Sequence, residues 1–248
     1  MINTISVLWL RQIKRFYRSK SRLIGTLSMP LLFLLAFGFG FGSIYTLAGQ
    51  GDYFQFLVPG IICMSILFTS VMSGIEIIWD RQFGFLKETL VAPVSRLEIM
   101  IGRTLGGATV AFCQGIIFLL LSLLFGFKII SLINLPLVFL FMLLIALFFA
   151  ALGTAIASLL DDMQGFQLIM NFLIMPIFFL SGALFPIDTA PRLIQLIAKI
   201  NPLSYGVSSI RSLLSGSTNF VFLNLLILLI LTIIMLIIGS KLFSKMKV

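Results

Sequence analysis

The sequence has no histidine, and only 8 of its 248 residues are aspartate or glutamate. Histidine is the commonest general base and the commonest metal ligand, so its absence removes the usual centre of both kinds of site. The carboxylates lack metal-site spacing, and the two cysteines, Cys63 and Cys113, lie in apolar runs where small buried side chains are expected. No G-x-x-x-x-G-K-[ST] motif occurs. We therefore expect a chain that is not itself an enzyme, binds no metal and has no P-loop for ATP.

Charge of either sign is scarce, whereas apolar residues are abundant. The chain is 60% hydrophobic and 10% charged, and its mean hydropathy is +1.19. A soluble fold of this length would expose too much apolar surface, so bilayer hydrocarbon is the expected solvent. The net charge of +9 does not indicate nucleic acid, because the basic residues cluster near the two termini, as on the cytoplasmic side of a membrane protein.

Six runs without a charged residue divide the chain, and each exceeds the roughly 20 residues that a helix needs to cross a bilayer. We therefore predict an all-α membrane protein with one transmembrane domain over residues 1–248. The six spans are placed at residues 23–43, 55–78, 104–126, 135–158, 165–184 and 219–240.

The basic residues are distributed unevenly between the two sides of these spans. If the N-terminus is inside, 13 of the 17 basic residues fall in inside segments and 4 in outside segments. Lysine and arginine are enriched in cytoplasmic loops, so both termini are predicted to be cytoplasmic. The segment between the second and third spans then also lies in the cytoplasm.

The segment before the first span has the pattern of an amphipathic helix over residues 5–20. A helix lying in the headgroup region has an apolar face and a cationic face, and the cations contact anionic lipid. A solvated run of charge without membrane contact is the alternative. The apolar face would carry Ile5, Leu8, Trp9, Ile13, Phe16 and Tyr17, and the other side Arg11, Lys14, Arg15 and Arg18.

WDRQFGFLKETLVAPVSR, residues 79–96, concentrates charge between the second and third spans. Apolar residues recur through it at helical spacing, and Pro93 disfavours helix at the residue before it. Ser95 and Glu98 then have the spacing of a capping box that starts a new helix. The pattern suits either a helix that docks in the groove of a soluble partner or an ordinary connector on the membrane surface.

Residues 185–215 are too apolar for an exposed loop but are interrupted by Arg192, Lys199, Pro202 and Arg211. We expect two short helices that dip partly into the outer leaflet, where they form either an outer gate or a surface cap. Pro176 is expected to kink the fifth span. Glu76, near the end of the second span, is either a pathway group or an interfacial carboxylate paired with a nearby base.

Three stretches resemble the permeases of ABC-2 type transporters. The run WDRQFGFLKETLVAPVSRLEIMIGR, residues 79–103, resembles the family's segment after its second span. LSGALFPIDTAP, residues 180–191, and NPLSYGVSSIR, residues 201–211, are similar to its segment between spans five and six. The six-span order matches as well. The likeness covers essentially the whole chain and looks closest to exporters of the daunorubicin-resistance, nodulation-factor and polysaccharide type.

The resemblance implies an exporter of amphipathic drug-like or lipid- or glycan-linked substrates, multidrug efflux included, in the plasma (inner) membrane of a prokaryote. It implies two copies of an ATPase subunit that carry ATP and Mg²⁺, a second permease subunit, identical or closely homologous, and contact with membrane lipids, but no cofactor on this chain. The implied coupling helix comprises Arg81, Phe83, Phe85, Leu86, Lys87, Glu88, Thr89 and Leu90. Candidate pathway or gate residues are Glu76, Pro176, Asp188, Tyr205 and Arg211.

Two other functions remain open at this point. An ATP-independent secondary carrier would need membrane-buried ionisable groups for ion coupling, and the spans contain few of them. A non-transporting membrane scaffold would bind a partner without moving a substrate. The carrier predicts transport that depends on a proton or sodium gradient, and the scaffold predicts partner binding without flux or substrate-stimulated ATP hydrolysis.

Overall fold

The computed structural model describes residues 2–47, 51–85 and 94–246, and within these ranges the chain is helical, without a β-strand. A π-helical turn, Met170–Ile174, joins two of the helices. The α-helices are α1 (Ile2–Arg18), α2 (Lys20–Leu47), α3 (Tyr53–Met72), α4 (Ile75–Gln82), α5 (Arg96–Leu124), α6 (Leu135–Leu159), α7 (Met163–Ile169), α8 (Met175–Phe179), α9 (Arg192–Ile200), α10 (Pro202–Leu214) and α11 (Val221–Ser244).

Five helical segments of the described residues are long and apolar enough to cross a bilayer. They match the predicted spans one to four and six, and they are Ile24–Gly42, Tyr53–Gln82, Arg96–Leu124, Leu132–Leu159 and Val221–Ser244. The predicted fifth span, 165–184, falls on the shorter apolar segment Met163–Phe179. That segment ends at a turn in which Gly182 has a φ of +77°. A sixth span therefore stays a prediction.

The termini share one end of the bundle, which we call the α1 end. There Arg11 contacts Asp80 at the end of α4, and Arg96 at the start of α5 donates to the carbonyl of Ser244, 2.7 Å away. At the opposite end, Tyr53 Oη donates to the carbonyl of Leu184 at 2.8 Å. The helical segment Tyr53–Gln82 therefore connects the two ends.

An amphipathic helix is present at the N-terminus, but much of its apolar face packs against α5. A Cβ atom on Gly102 would lie 2.9 Å from Cβ of Leu8, and one on Gly106 would lie 2.6 Å from Cβ of Gln12. Trp9 Nε1 donates to Oγ1 of Thr109 at 3.0 Å. Because these glycines let the two backbones approach closely, the apolar face is buried by protein. Its position in the headgroup region stays a prediction.

The two cysteines differ in their surroundings. Cys63 is buried in α3, as expected from the apolar run that contains it. Cys113 is exposed on α5, so the expectation of burial was wrong for this residue. An apolar run in a membrane helix does not by itself say which of its side chains contact other helices.

The second candidate span is interrupted at Ser73 and Gly74, between α3 and α4, where it meets α6. A Cβ atom on Gly153 of α6 would lie 2.5 Å from the carbonyl oxygen of Val71 and 2.8 Å from its Cα. The neighbouring atoms are backbone and cannot rotate away, so glycine is required for this crossing.

Gly153→Ala should therefore destabilise the protein by about 1–3 kcal/mol, the range for overpacking a closely packed contact. The matched control is Gly25→Ala on α2, where an added Cβ meets nothing within 4 Å. That change should leave the stability unaltered or raise it by up to about 1 kcal/mol, because alanine favours the helix. Unfolding of the detergent-purified variants, followed by tryptophan fluorescence, measures both. Equal effects of the two changes would contradict the close crossing.

Two short helices occupy the segment before the last span, as predicted. Asn201 joins them: its side-chain oxygen accepts from the amide of Leu203 at 3.0 Å, and its Nδ2 donates to the carbonyl of Ile177 at 2.6 Å. This anchors the α9–α10 corner to the end of α8. The depth of this pair in a bilayer stays a prediction.

Candidate functional site

The main charged cluster lies at the α1 end and centres on a buried ion pair. Asp80 on α4 is 5% exposed and Arg103 on α5 is 4% exposed, and Nη2 of Arg103 lies 2.5 Å from Oδ2 of Asp80. Nη2 of Arg11 lies 3.4 Å from the other oxygen, Oδ1. Nε and Nη1 of Arg103 are buried without a hydrogen-bond partner among the described residues. The pair therefore joins α4 to α5, and Arg11 adds α1.

A second set of contacts joins α4 to α1 one helical turn earlier. Glu76 is 3% exposed, and its Oε2 lies 3.6 Å from Nη1 of Arg15. The guanidinium of Arg15 lies 5.4 Å from the ring centre of Trp79, whose Nε1 is 2.8 Å from the sulfur of Met163. Glu76 is thus a buried carboxylate paired with a nearby base, Arg15.

Arg81 instead fixes the end of α4 to the turn between α6 and α7. Its Nη1 lies 2.5 Å from Oδ1 of Asp161 and 3.3 Å from the carbonyl of Leu160. After this anchor the chain presents two aromatic side chains, Phe83 at 71% exposure and Phe85 at 51%. Large apolar side chains at such exposure beside a fixed helix end suit contact with a partner.

The rest of the predicted coupling helix, Leu86, Lys87, Glu88, Thr89 and Leu90, lies outside the described residues. Where the described chain resumes, the predicted capping box is present at the start of α5. Ser95 Oγ accepts from the amide of Glu98 at 3.2 Å, and Oε2 of Glu98 accepts from the amide of Ser95 at 3.3 Å.

At the opposite end, Arg211 of α10 ties three segments together. Its Nε donates to the carbonyl of Phe56 at 3.1 Å, its Nη2 donates to the carbonyl of Gly182 at 3.0 Å, and its guanidinium lies 3.7 Å from the ring centre of Phe56. Burial lowers the pKa of Arg211 to about 10, so the side chain is still cationic at neutral pH. The cation thus holds α10 against α3 and the turn after α8.

The other gate candidates are more exposed. Pro176 is exposed two residues after the π-helical turn, and Asp188 is exposed in the segment before α9. Tyr205 is half-buried and donates to the carbonyl of Lys199. Glu76 lies at the α1 end, whereas Arg211 lies at the opposite end. The structure therefore does not gather the five candidates into one site.

The buried pair of Asp80 and Arg103 was not predicted from the sequence. Both residues were treated only as charges next to the spans. An arginine at the edge of an apolar helix is nevertheless expected to pair with a carboxylate or another acceptor. Their separation of 23 residues gives no local pattern that would pair them. Three polar side chains on the fifth apolar segment were also missed: Gln164, Gln167 and Asn171 are exposed at spacings of three and four.

The chain resembles known membrane proteins over nearly its whole length. Residues 3–215 match the sequence profile of the family described as ABC-2 type transporter. A transport permease, ycf38, of Cyanophora paradoxa is 30% identical over 257 residues, covering 98% of this chain and 89% of that protein. The daunorubicin resistance ABC transporter permease protein DrrB1 of Streptomyces coeruleorubidus is 27% identical, covering 88% of this chain and 76% of that protein. The inner membrane transport permease YadH of Escherichia coli (strain K12) is 27% identical, covering 82% and 80%.

Proposed function

The chain belongs to the ABC-2 type transporter family, and we propose that it is the permease subunit of an exporter driven by ATP hydrolysis on a separate subunit. Membership of the family implies an integral membrane transport permease that pairs with an ABC ATPase subunit. The observation that carries the proposal is the end of α4. It is held by buried charges on one side and presents Phe83 and Phe85 on the other.

The contacts around α4 are suited to transmitting a displacement into the membrane. A partner that moves the segment 81–90 moves the end of the span Tyr53–Gln82 directly. Asp80 passes the same displacement to α5 through Arg103, and Arg15 and Arg11 pass it to α1. Packed elements joined by ion pairs of this kind carry coupling between distant sites. ATP and Mg²⁺ belong to the two partner ATPases in this proposal.

The functional unit is proposed to contain two permease subunits, identical or closely homologous. Support comes from Gln164, Gln167 and Asn171, which are exposed on an otherwise apolar segment. Amide side chains are costly in lipid and favourable against another helix or a polar pathway. The segment Met163–Phe179 is then proposed to be the fifth of six spans. The distribution of basic residues supports cytoplasmic termini and a location in the plasma (inner) membrane of a prokaryote.

The substrate is proposed to be amphipathic, either drug-like or linked to a lipid or glycan. Three stacked phenylalanines support an apolar surface along α2: Phe33 and Phe37 are 5.4 Å apart between ring centres, and Phe37 and Phe41 are 5.5 Å apart. Aromatic faces accept both apolar groups and sugars by stacking. The name of the relative DrrB1, which refers to daunorubicin resistance, is consistent with a drug-like molecule.

Capture of the ATPase by the tagged chain from native membranes tests the proposal. Phe83→Asp should reduce capture about tenfold or more, because a buried aromatic anchor at an interface contributes about 2 kcal/mol or more. The matched control is Phe220→Asp, since Phe220 is 76% exposed at the start of α11, at the opposite end of the bundle. Aspartate tolerates the positive φ found there.

Mass spectrometry of the captured proteins separates the proposal from its rivals. An ATPase captured by the wild type and by Phe220→Asp, but lost with Phe83→Asp, supports docking at the end of α4. A folded, membrane-inserted chain that captures no ATPase would favour the secondary carrier or the scaffold. An ATPase captured equally by all three chains would place the docking surface elsewhere.

A further inference from the structure

A cleft of about 1150 Å³ opens at the α1 end, between α1 and the end of α4. One wall is the exposed side of α1, opposite the side that packs on α5. The other wall is formed by the last turn of α4 and the aromatic residues after it. The lining residues used below are Val7, Arg11, Lys14, Arg18, Trp79 and Phe83.

The cleft has an excess of positive charge. Arg11, Lys14 and Arg18 follow one another on α1 at spacings of three and four, so they form a single cationic row. Lys14 and Arg18 have no ion-pair partner among the residues that the structure describes. Asp80 is the one carboxylate in the described lining, and its Oδ2 is already held by Arg103. An anion is therefore the complementary ligand.

The remaining lining is apolar, which limits the kind of anion that fits. Val7 is 64% exposed and Phe83 is 71% exposed, and Trp79 lines the same cleft. The cleft also lies at a membrane boundary, since the apolar part of α2 begins at Ile24 and the span through α4 ends at Gln82. A ligand with a phosphate and an attached apolar chain matches both parts.

We propose that this cleft binds an anionic phospholipid, with its phosphate on Lys14 and Arg18 and the start of its acyl chains against Val7 and Trp79. The lipid would contact both α1 and α4 and would thereby stabilise their association. The inference does not depend on the transported substrate or on ATP, because it concerns only the position of two helices at a lipid surface. Free inorganic phosphate would satisfy the cations but would leave the apolar wall without a partner.

Tryptophan fluorescence gives a direct test, because the chain has two tryptophans and one of them lines the cleft. Trp9→Phe leaves Trp79 as the single reporter. In vesicles of phosphatidylcholine with a minor fraction of phosphatidylglycerol, bromine is placed on the acyl chains of one lipid at a time. Brominated phosphatidylglycerol should quench Trp79 far more than its share of the bilayer predicts, and brominated phosphatidylcholine should not.

Lys14→Ala with Arg18→Ala should lower the preference for phosphatidylglycerol about thirtyfold, since each cation near an anionic surface contributes about 1 kcal/mol. Lys241→Ala with Lys245→Ala is the matched control, because these cations lie at the same end but outside the cleft lining. If Trp9→Phe fails to fold, the quenching of Trp79 is obtained as the difference in fluorescence quenching between the wild type and Trp79→Phe.

Three results would overturn the proposal. Equal quenching of Trp79 by the two brominated lipids would show that the cleft has no preference for the anionic lipid. Full displacement of phosphatidylglycerol from the cleft by inorganic phosphate would identify a site for a small anion. Loss of ATPase capture in the Lys14 and Arg18 variant, with lipid preference unchanged, would assign the cleft to an acidic protein segment. Because Phe83→Asp tests ATPase docking separately, failure of the lipid site and failure of the exporter proposal are distinguishable.

Discussion

Arg103→Met should be among the most destabilising single substitutions in this chain, with an expected loss of about 3–5 kcal/mol in the free energy of unfolding. Among the described residues, the change leaves the buried carboxylate of Asp80 with Arg11 alone, at 3.4 Å. A charge that has lost its partner in a medium of low dielectric constant is far more costly than a missing pair. The unfolding transition of the purified protein in detergent measures the loss.

The double variant Asp80→Leu with Arg103→Met tests the reason for that loss. It removes both charges and replaces them with apolar side chains, so it should recover most of the stability. The control pair is Arg81 with Asp161, which has the same separation of 2.5 Å, but its carboxylate side chain is 80% exposed. Arg81→Ala should cost about 1 kcal/mol or less, because water screens this pair.

Two results would contradict the assignment of Asp80 and Arg103 as a buried pair that depends on mutual neutralisation. One is a double variant no more stable than Arg103→Met alone, which would indicate that packing volume matters more than charge. The other is an equal loss in the free energy of unfolding for Arg81→Ala.

If the double variant folds and still captures the ATPase, a transport assay of this variant tests whether the link from α4 to α5 is needed for coupling.

The long helices could be predicted from the sequence because the bilayer sets a length that the charge-free runs must reach. The start of α5 was predictable for a local reason, since Ser95 and Glu98 are three residues apart and satisfy each other's amides. The predicted fifth span is less regular: a π-helical turn precedes Pro176, and the helix ends at Phe179. Hydropathy has no signal for such a turn, which proline and local packing decide.

The candidate site was less predictable because its contacts join residues far apart in the chain. Arg15 was assigned to a cationic surface, yet it contacts Glu76 and Trp79. The apolar face of α1 was assigned to lipid, whereas much of it packs on Gly102 and Gly106. An amphipathic pattern shows that a face will be buried but does not show whether lipid or protein covers it.

Arg211→Met should loosen the opposite end of the bundle without affecting the α1 end. The variant leaves the carbonyls of Phe56 and Gly182 without their charged donor, and each such hydrogen bond contributes about 1.5–3 kcal/mol. Arg211→Lys should give a smaller loss, because an ammonium keeps the charge but lacks the planar fork that reaches both carbonyls. The pKa of about 10 keeps Arg211 cationic, so the wild-type contacts should not change around neutral pH.

A buried reporter can localise this effect to the turn after α8. Ser181 is 1% exposed beside Gly182, so Ser181→Cys should react slowly with a thiol reagent. Cys113→Ser removes the exposed native thiol, and Cys63 is buried. In this background Arg211→Met should accelerate labelling of the new cysteine, whereas Arg192→Met, at an exposed position on α9, should not. Retained ATPase capture with faster labelling would make Arg211 a positioning residue of the opposite end. Unchanged labelling would mean that other contacts, such as Asn201 with Ile177, suffice to hold α10 in place.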